Sequence, residues 1–327
     1  EDEDAVNNTL TKEINVALSS AQRIPMIEHF SSASCAPCVN VNNMMHKLTE
    51  NNPGKYTYVK YPAKYPTDIY NTAECDVRSN YYMVSGVPNV AFNGVNLGPT
   101  SVSQYQLDNS YNEAAFVNIK GAFNIEGKTI NVTADVMSYI DLQNVKTFIS
   151  VNEKTTTGNV GDNGETEFHH IMMKMLEDAE GTETTFQVGE TKHFEFSYDM
   201  SNTFMEETND LEVAVWAQDY ISYEIYNSHF AYEYTEHCYP VRNMMAGISD
   251  DLSTLSLQWE TPEQGTPTGY DIYIDGELIK ENHTGLSYST TDFNEDVLDG
   301  KTHIAEVVAV YENEMTSVGA LNIIISN

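Results

Sequence analysis

The hydrophobic positions in the first third of the chain follow two different spacings. An apolar run covers Ile24 to Phe30, as in a buried strand, and a Ser- and Cys-containing stretch follows it. Asn52, Pro53 and Gly54 then separate a helical pattern from a second apolar run, Tyr56 to Tyr61. The sequence therefore predicts a strand, a turn, a helix and a second strand. The helical pattern, with apolar residues three or four positions apart, consists of Val41, Met44, Met45 and Leu48.

Residues 113–235 alternate between apolar and polar positions in several short runs, separated by clusters of Gly, Asn, Asp and Thr. A period of two places one face of each strand in a core and the other in solvent. The pattern predicts a β-sandwich. The alternating apolar positions are Val117 and Ile119; Ile130, Val132, Ala134 and Val136; Phe148 and Val151; Phe194 and Phe196; Leu211, Val213, Val215 and Ala217.

Residues 236–327 show the same alternation in a more compact form. Leu255, Leu257 and Trp259 alternate before Thr261-Pro262, and a second alternating run ends at the turn Asp275-Gly276. About seven short strands around one core tryptophan resemble a fibronectin type III module. The resemblance implies a module that spaces or binds.

The length of 327 residues indicates two or three domains, since one domain typically holds about 100 to 200 residues. We place them at residues 1–112, with 1–20 as an N-terminal extension, at 113–235 and at 236–327. The net charge is −33, and most of the acidic excess lies beyond residue 112. Such a charge excludes nucleic acid as a partner, because its binding requires Lys and Arg to displace counterions. It also disfavours an anionic membrane surface.

Cys35 and Cys38 form a C-x-x-C motif where the predicted helix begins. The N-terminus of a helix stabilises a thiolate, so Cys35 would be the attacking sulfur and the sheltered Cys38 would resolve the mixed disulfide. Pro37 is compatible with the first helical turn. Two alternatives stay open, a structural disulfide and a zinc site, although Cys75 and Cys238 supply no second close pair of ligands.

The motif Gly86-Val87-Pro88 precedes an apolar strand, Val90 to Phe92, and the hairpin turn Asn93-Gly94. This order of strand, C-x-x-C helix, strand and Gly-Val-Pro before a hairpin resembles the thioredoxin fold over residues 24–112. The resemblance implies an α/β thioredoxin-like N-terminal domain, followed here by two all-β sandwich domains of immunoglobulin or fibronectin III type. It also implies that Cys35 is the nucleophile, that Cys38 resolves, and that Pro88 is a cis-proline which pairs with substrate.

Two positions depart from the thioredoxin pattern. Ser34 replaces the tryptophan before the first cysteine, and His29 replaces the buried aspartate six residues before it. His29 could accept the proton of the resolving thiol, because the ordinary pKa of histidine is about 6.5. An ordinary strand histidine is the alternative. The loss of the tryptophan removes a flat apolar surface beside the sulfur.

A second resemblance covers most of the chain and depends on residues of the first third together with the C-x-x-C motif. In these residues the chain is similar to the outer-membrane-protein-28-related lipoproteins of Bacteroidetes. That family implies an exported protein of the periplasm or outer-membrane surface of a Gram-negative bacterium, peripheral to the membrane through an N-terminal lipid outside this chain. The residues that carry the resemblance are Glu28, Phe30, Arg78, Tyr81, Tyr82 and 84–88.

Three further features carry weaker functional signals. The loop containing Asp162, Asn163 and Glu165 offers oxygen ligands for calcium, but it lacks the regular twelve-residue spacing. His169 and His170 are adjacent, so on a strand they face opposite sides. The tyrosine-rich stretch 220–239 indicates packing between domains, with a binding patch as the alternative.

The sequence thus leaves two functions open. The first is a cell-envelope thiol–disulfide oxidoreductase whose partners are protein thiols and disulfides, with no cofactor besides its redox-active disulfide and no metal. The second is a non-enzymatic surface lipoprotein, in which the N-terminal domain is a scaffold and the β-domains bind other envelope proteins or glycans. Cys75 and Cys238 are either free or paired with each other.

Overall fold

The structure is a computed structural model that describes residues 17–291 and 302–325. Part of the expected N-terminal extension, residues 1–16, lies outside the described residues. Over the described ranges the chain contains twenty-two β-strands and three α-helices, so it is mostly β. No helix of the described residues is long and apolar enough to cross a membrane.

The first third of the chain contains the three helices and five strands. Helix α1 buries Val41, Met45 and Leu48 but leaves Met44 half exposed. The Thr72 side chain caps the start of α2, and Ser103 and Gln106 form a capping box at the start of α3. The elements are β1 (Ala21–Gln22), β2 (Met26–Ser31), α1 (Cys38–Glu50), β3 (Thr57–Pro62), α2 (Ala73–Tyr81), β4 (Asn89–Phe92), β5 (Val95–Gly98) and α3 (Gln104–Tyr111).

The middle and last thirds are built from strands, joined by turns and a few short 3-10 segments. In the middle third the strands are β6 (Ala114–Ala115), β7 (Val117–Glu126), β8 (Thr129–Ser138), β9 (Leu142–Thr156), β10 (Phe168–Leu176), β11 (Thr182–Phe186), β12 (Thr191–Asp199), β13 (Leu211–Asp219), β14 (Ile225–Phe230) and β15 (Tyr232–Glu233). In the last third they are β16 (Arg242–Ile248), β17 (Leu255–Glu260), β18 (Gly269–Ile274), β19 (Glu277–His283), β20 (Ser287–Thr290), β21 (Thr302–Val310) and β22 (Ala320–Ile325).

The expected fold class, an α/β thioredoxin-like N-terminal domain followed by two all-β sandwich domains, is wrong. Strands β2 to β5 do not form a separate α/β unit, because β3 pairs in parallel with β10 at Lys60 and Ile171. One nine-stranded sheet results, in the order β14-β13-β9-β10-β3-β2-β4-β5, with β11 paired to β9. The first and middle thirds therefore share a sheet within a mostly β molecule.

The burial of both faces of this large sheet explains why the first and middle thirds of the chain form one unit. Along β13, Val213 and Val215 face a core shared with the four-stranded sheet β12-β8-β7-β15. Ala214 and Trp216 face the opposite core, which also contains Cys75 of α2 and apolar residues of β2 and β3. Both faces are covered, so β13 is buried along nearly its whole length. Helix α2 supplies the cover that the middle third lacks.

The last third forms two sheets around its own core, as expected for a fibronectin-like module. The sheets have the orders β16-β17-β20 and β19-β18-β21-β22. Leu255, Leu257 and Trp259 alternate into the core with their intervening residues exposed. Cys238, just before β16, is also part of this core. The segment that follows β15 is thereby anchored to the last third.

Candidate disulfide site

The candidate site is the turn between β2 and α1, which holds the C-x-x-C motif. The Cys35 N–H donates to the Ser32 carbonyl at 3.0 Å, and the Cys38 N–H donates to the Cys35 carbonyl at 3.1 Å. Helix α1 begins at Cys38, with Pro37 at its N-cap. The two sulfurs are joined in a disulfide, with the Cα atoms 5.3 Å apart. Cys35 is 3% exposed and Cys38 is fully buried.

The loop 82–88 brings Pro88 to the disulfide. The Val87-Pro88 peptide is cis, and Cys35 Sγ lies 3.6 Å from the Val87 carbonyl oxygen. Pro88 is itself buried just before β4. The structure thus brings together Cys35, Cys38 and Pro88. Whether these residues carry out thiol exchange stays a prediction.

His29 lies in the middle of β2, between Lys60 of β3 and Val90 of β4. Its Nδ1 is 2.6 Å from the Tyr58 hydroxyl, and among the described residues its buried Nε2 has no hydrogen-bond partner. Burial, reinforced by the Lys60 ammonium, lowers the pKa of His29 well below its usual value. His29 is therefore a neutral interior histidine held by Tyr58, and no hydrogen bond joins it to either cysteine in the described part of the chain.

A second loop, residues 157–167 between β9 and β10, packs against the segment just before Cys35. The Asn163 N–H donates to the Ala33 carbonyl at 3.1 Å, and the Asn163 amide donates to the Ser32 carbonyl at 3.3 Å. Gly161 lies so close that a methyl group on it would be 2.4 Å from the Ala33 carbonyl oxygen. We call residues 157–167 the covering loop.

Glu165 ties the covering loop to helix α1. Its carboxylate accepts from the Asn42 amide at 2.8 and 3.1 Å and from the Asn163 amide at 2.6 Å. On the other side, Asp68 accepts from the Ala33 N–H at 2.8 Å. Two carboxylates thus hold the segment 32–34 and its surroundings in place. Asp162, the third residue considered for calcium, is exposed, and calcium binding in this loop stays a prediction.

Two other cysteines were candidates for pairing. Where the structure describes the chain, Cys75 and Cys238 are both free and buried, and they belong to different hydrophobic cores. Burial raises the pKa of Cys75 to about 12 and also raises that of Cys238. Both thiols are therefore protonated and poorly reactive at neutral pH.

Sequence reasoning missed two buried polar groups near the site. Lys60 is 4% exposed and lies in the wall of a cavity of about 310 Å³ between α1 and the covering loop. Asp68 is also buried. Lys60 falls inside the apolar run Tyr56 to Tyr61, which was correctly predicted as a strand, but its burial was not inferred. The run could have indicated this burial, because a strand with an unbroken apolar run is covered on both faces, and so is a charged residue within it.

The comparisons with known proteins bear on the fold. No protein-family model matches the chain, and no curated protein does. HBP35 of Porphyromonas gingivalis has a similar structure, with a TM-score of 0.52, 13% identity, and coverage of 94% of this chain and 100% of that chain. An Fn3-like protein from Clostridium thermocellum is 20% identical over 26% of this chain and 88% of that chain, with a TM-score of 0.22.

The likeness to HBP35 shows a shared fold with a Bacteroidetes protein over nearly the whole chain. It agrees in that respect with the resemblance stated from the sequence. The narrower assignment to outer-membrane-protein-28-related lipoproteins stays a prediction, because no family model supports it.

Proposed function

We propose that this chain is an exported, non-enzymatic protein of a bacterial cell envelope. In this proposal the Cys35–Cys38 disulfide is structural, and the β-rich remainder binds or spaces other envelope components, either proteins or glycans. The observation that carries the proposal is the burial of both sulfurs beside a turn that the covering loop holds in place.

The chemistry of thiol exchange explains why burial matters. An incoming thiolate must reach one sulfur of the disulfide, and the reduced enzyme must present its own thiolate to a partner. With Cys35 only 3% exposed, neither step has an open approach while the covering loop stays on Ala33. A disulfide in this position instead fixes the start of α1 against the Val87 carbonyl.

The same bond supports the proposed compartment. Stable disulfides form in oxidising surroundings such as the periplasm or cell surface, and they are rare in the cytosol. A covered disulfide without catalytic access therefore favours export. HBP35, whose fold this chain shares, comes from a bacterium, and the envelope of this proposal is accordingly a bacterial one.

Resistance of the disulfide to reduction tests the proposal. The native protein is incubated with dithiothreitol at neutral pH, free thiols are trapped by alkylation, and the trapped positions are read by mass spectrometry. We expect Cys35 and Cys38 to stay oxidised unless denaturant is added, and we expect no acceleration of insulin reduction. Rapid reduction of the native protein together with insulin turnover would show instead a thiol–disulfide oxidoreductase.

Displacing the covering loop gives a second prediction. Gly161→Val places side-chain atoms against the Ala33 carbonyl, so the loop must move away from the turn. If its closed state loses about 1.4 kcal/mol, the open population and the rate of reduction rise about tenfold. The rate of alkylation after dithiothreitol treatment measures this.

The matched control for that variant is Val160→Ala, which changes an exposed residue of the same loop. It should leave the reduction rate at the wild-type value. Circular dichroism of both variants separates a local displacement of the loop from global unfolding. An unchanged rate in a folded Gly161→Val protein would mean that the loop does not control access.

A further inference from the structure

Three side chains with metal-binding atoms converge outside the disulfide site. His193 Nδ1 lies 2.7 Å from Asp135 Oδ1, and His237 Nε2 lies 2.6 Å from Asp135 Oδ2. All three ligand atoms lie within 4.8 Å of one another. Among the described residues this is the one group of three or more His, Cys, Asp or Glu side chains with such a spacing.

The strand register brings two of the three side chains together. Asp135 of β8 is directly opposite His193 of β12, on the face that points away from the main core. The segment after β15 crosses that face, guided by the bond from the Tyr234 N–H to the Phe123 carbonyl, and delivers His237. As a result Asp135 and His237 are buried, whereas the His193 side chain keeps 35% of its surface exposed.

The geometry is close to what a tetrahedral metal ion requires. Two ligand atoms, each about 2.0 to 2.2 Å from Zn²⁺, are about 3.3 Å apart at a tetrahedral angle. The two histidine–carboxylate distances, measured to different oxygens of Asp135, are about 0.6 to 0.7 Å shorter than this value. Because the three ligand atoms lie within 4.8 Å of one another, rotation of the side chains would have to bring them around one ion. One carboxylate and two imidazoles are ligands that Zn²⁺ accepts well, whereas Ca²⁺ and Mg²⁺ require a shell of oxygens.

We propose that Asp135, His193 and His237 form a binding site for Zn²⁺. The partly exposed His193 leaves this side of the cluster open to solvent, which could supply a fourth ligand. A cavity of about 760 Å³ adjoins the cluster, and its lining includes His237, Glu195 and Tyr239. Glu195 is two residues beyond His193 on the same strand face, so a second carboxylate borders the entry path. The net charge of −33 favours the approach of cations.

The ion would join two parts of the molecule. Asp135 and His193 belong to the four-stranded sheet of the middle third, and His237 directly precedes Cys238, which is part of the core of the last third. The Tyr311 hydroxyl of the last third also donates to the Tyr239 carbonyl at 2.7 Å. A bound ion would therefore hold the fibronectin-like module against the middle sheet. This proposal does not depend on the function proposed for the disulfide.

Zinc titration of the whole chain tests the site. The protein is stripped with a chelator, and Zn²⁺ is titrated in competition with a fluorescent zinc indicator at neutral pH. We expect one equivalent to bind in the wild type, and His193→Gln to bind at least about 100-fold more weakly, because even the loss of an outer-shell contact costs 10- to 100-fold. Asp135→Asn should have the same effect.

The control is the double variant His46→Gln/His169→Gln. It removes another close pair of imidazoles, whose ring centroids are 4.0 Å apart, and should bind zinc as the wild type does. Cobalt provides a second readout, since Co²⁺ in a tetrahedral site gives strong visible absorption that His193→Gln should abolish. If Asp135→Asn fails to fold, His193→Gln still decides, because His193 is partly exposed.

Two results would overturn the proposal. One is equal zinc affinity of the wild type and His193→Gln. The other is loss of zinc binding in the His46→Gln/His169→Gln variant alone. Either would leave the cluster as a carboxylate that bridges two histidines by hydrogen bonds. A rise in melting temperature with Zn²⁺ in the wild type, absent in His193→Gln, would support the proposal independently.

Discussion

Replacing Glu28 by Gln is expected to destabilise the protein by about 3 to 5 kcal/mol, because it leaves a buried guanidinium without its counter-charge. Glu28 Oε1 accepts from Arg78 Nε at 3.1 Å and from Arg78 Nη2 at 2.7 Å. The hydroxyls of Tyr61 and Tyr82 donate to the same carboxylate. Glu28 and Arg78 are each only 1% exposed, so water cannot replace the lost interactions.

The Arg78 guanidinium packs against aromatic rings and also donates hydrogen bonds to the Glu28 carboxylate. Its guanidinium carbon lies 4.4 Å from the centre of the Phe148 ring and 5.5 Å from that of Trp216. Its Nη2 also donates to the Gln218 side chain at 3.1 Å. Because Phe148 and Gln218 belong to the middle third, this one residue of α2 joins the first third of the chain to the strands that follow it.

Urea unfolding of Glu28→Gln, Arg78→Met and the double variant measures the effect. Each single change leaves one uncompensated polar partner, whereas the double change removes both charges, so its cost should be well below the sum of the single costs. Lys64→Gln is the matched control, since its ion pair with Asp76 is largely exposed and contributes less than about 1 kcal/mol. Additive costs in the double variant would contradict coupling between the two residues.

Local structure around the candidate site could be predicted from the sequence. The apolar runs correspond to β2 and β3, the helical spacing corresponds to α1, and Asn93-Gly94 forms the turn between β4 and β5 with both residues at positive φ. These features depend on neighbours in sequence, and periodicity and turn preferences report on such neighbours. The disulfide turn belongs to the same group.

The arrangement of the sheet could not be predicted in this way. The parallel pairing of β3 with β10 joins Lys60 to Ile171, and no local pattern specifies so distant a partner. Strand β13 was recognised from its odd-numbered residues, but Ala214 and Trp216 are buried too, because α2 covers the second face. An expected separate α/β domain was therefore wrong even though its individual elements were found.

The same reason limits what the sequence says about sites. Cys35, Cys38 and Pro88 were recognisable as motifs, but the contacts of Asn163 and Gly161 with Ala33 bring together residues far apart in the chain. Asp135 sits among polar strand residues that alternation would place in solvent. Asp135 is nevertheless buried, and its carboxylate lies 2.6 Å from His237 of the segment 234–239. Long-range docking, which periodicity does not encode, decides both cases.

Raising the pH from 7 to 10 is expected to stabilise the protein through Lys60 by about 2 to 3 kcal/mol. Burial lowers the pKa of Lys60 from 10.5 to about 8, although the charges of Glu165 and Asp68 oppose this shift. Among the described residues no carboxylate lies within ion-pair distance of its ammonium. The folded protein therefore releases this proton near pH 8, whereas the unfolded chain keeps it until about pH 10.5.

The sign of the effect follows from proton uptake. Between these two pKa values the unfolded chain binds one more proton than the folded protein, so unfolding consumes a proton and becomes less favourable as the pH rises. Below about pH 8 both states are protonated, and the folded state carries the full cost of a buried charge. The difference of about 2.5 between the pKa values corresponds to about 3 kcal/mol.

Lys60→Met isolates this contribution. Methionine keeps the length of the side chain but has no charge, so the variant should be more stable than the wild type at pH 7 and should lose that advantage toward pH 10. Other groups also titrate in this range. Buried Cys75, with its pKa raised to about 12, opposes the Lys60 effect because its thiol ionises first in the unfolded chain. The readout is therefore the difference in the free energy of unfolding by urea between wild type and Lys60→Met, followed from pH 7 to 10. Lys64→Met is the control at an exposed lysine. If this difference stays constant over the pH range, Lys60 titrates normally in the folded protein.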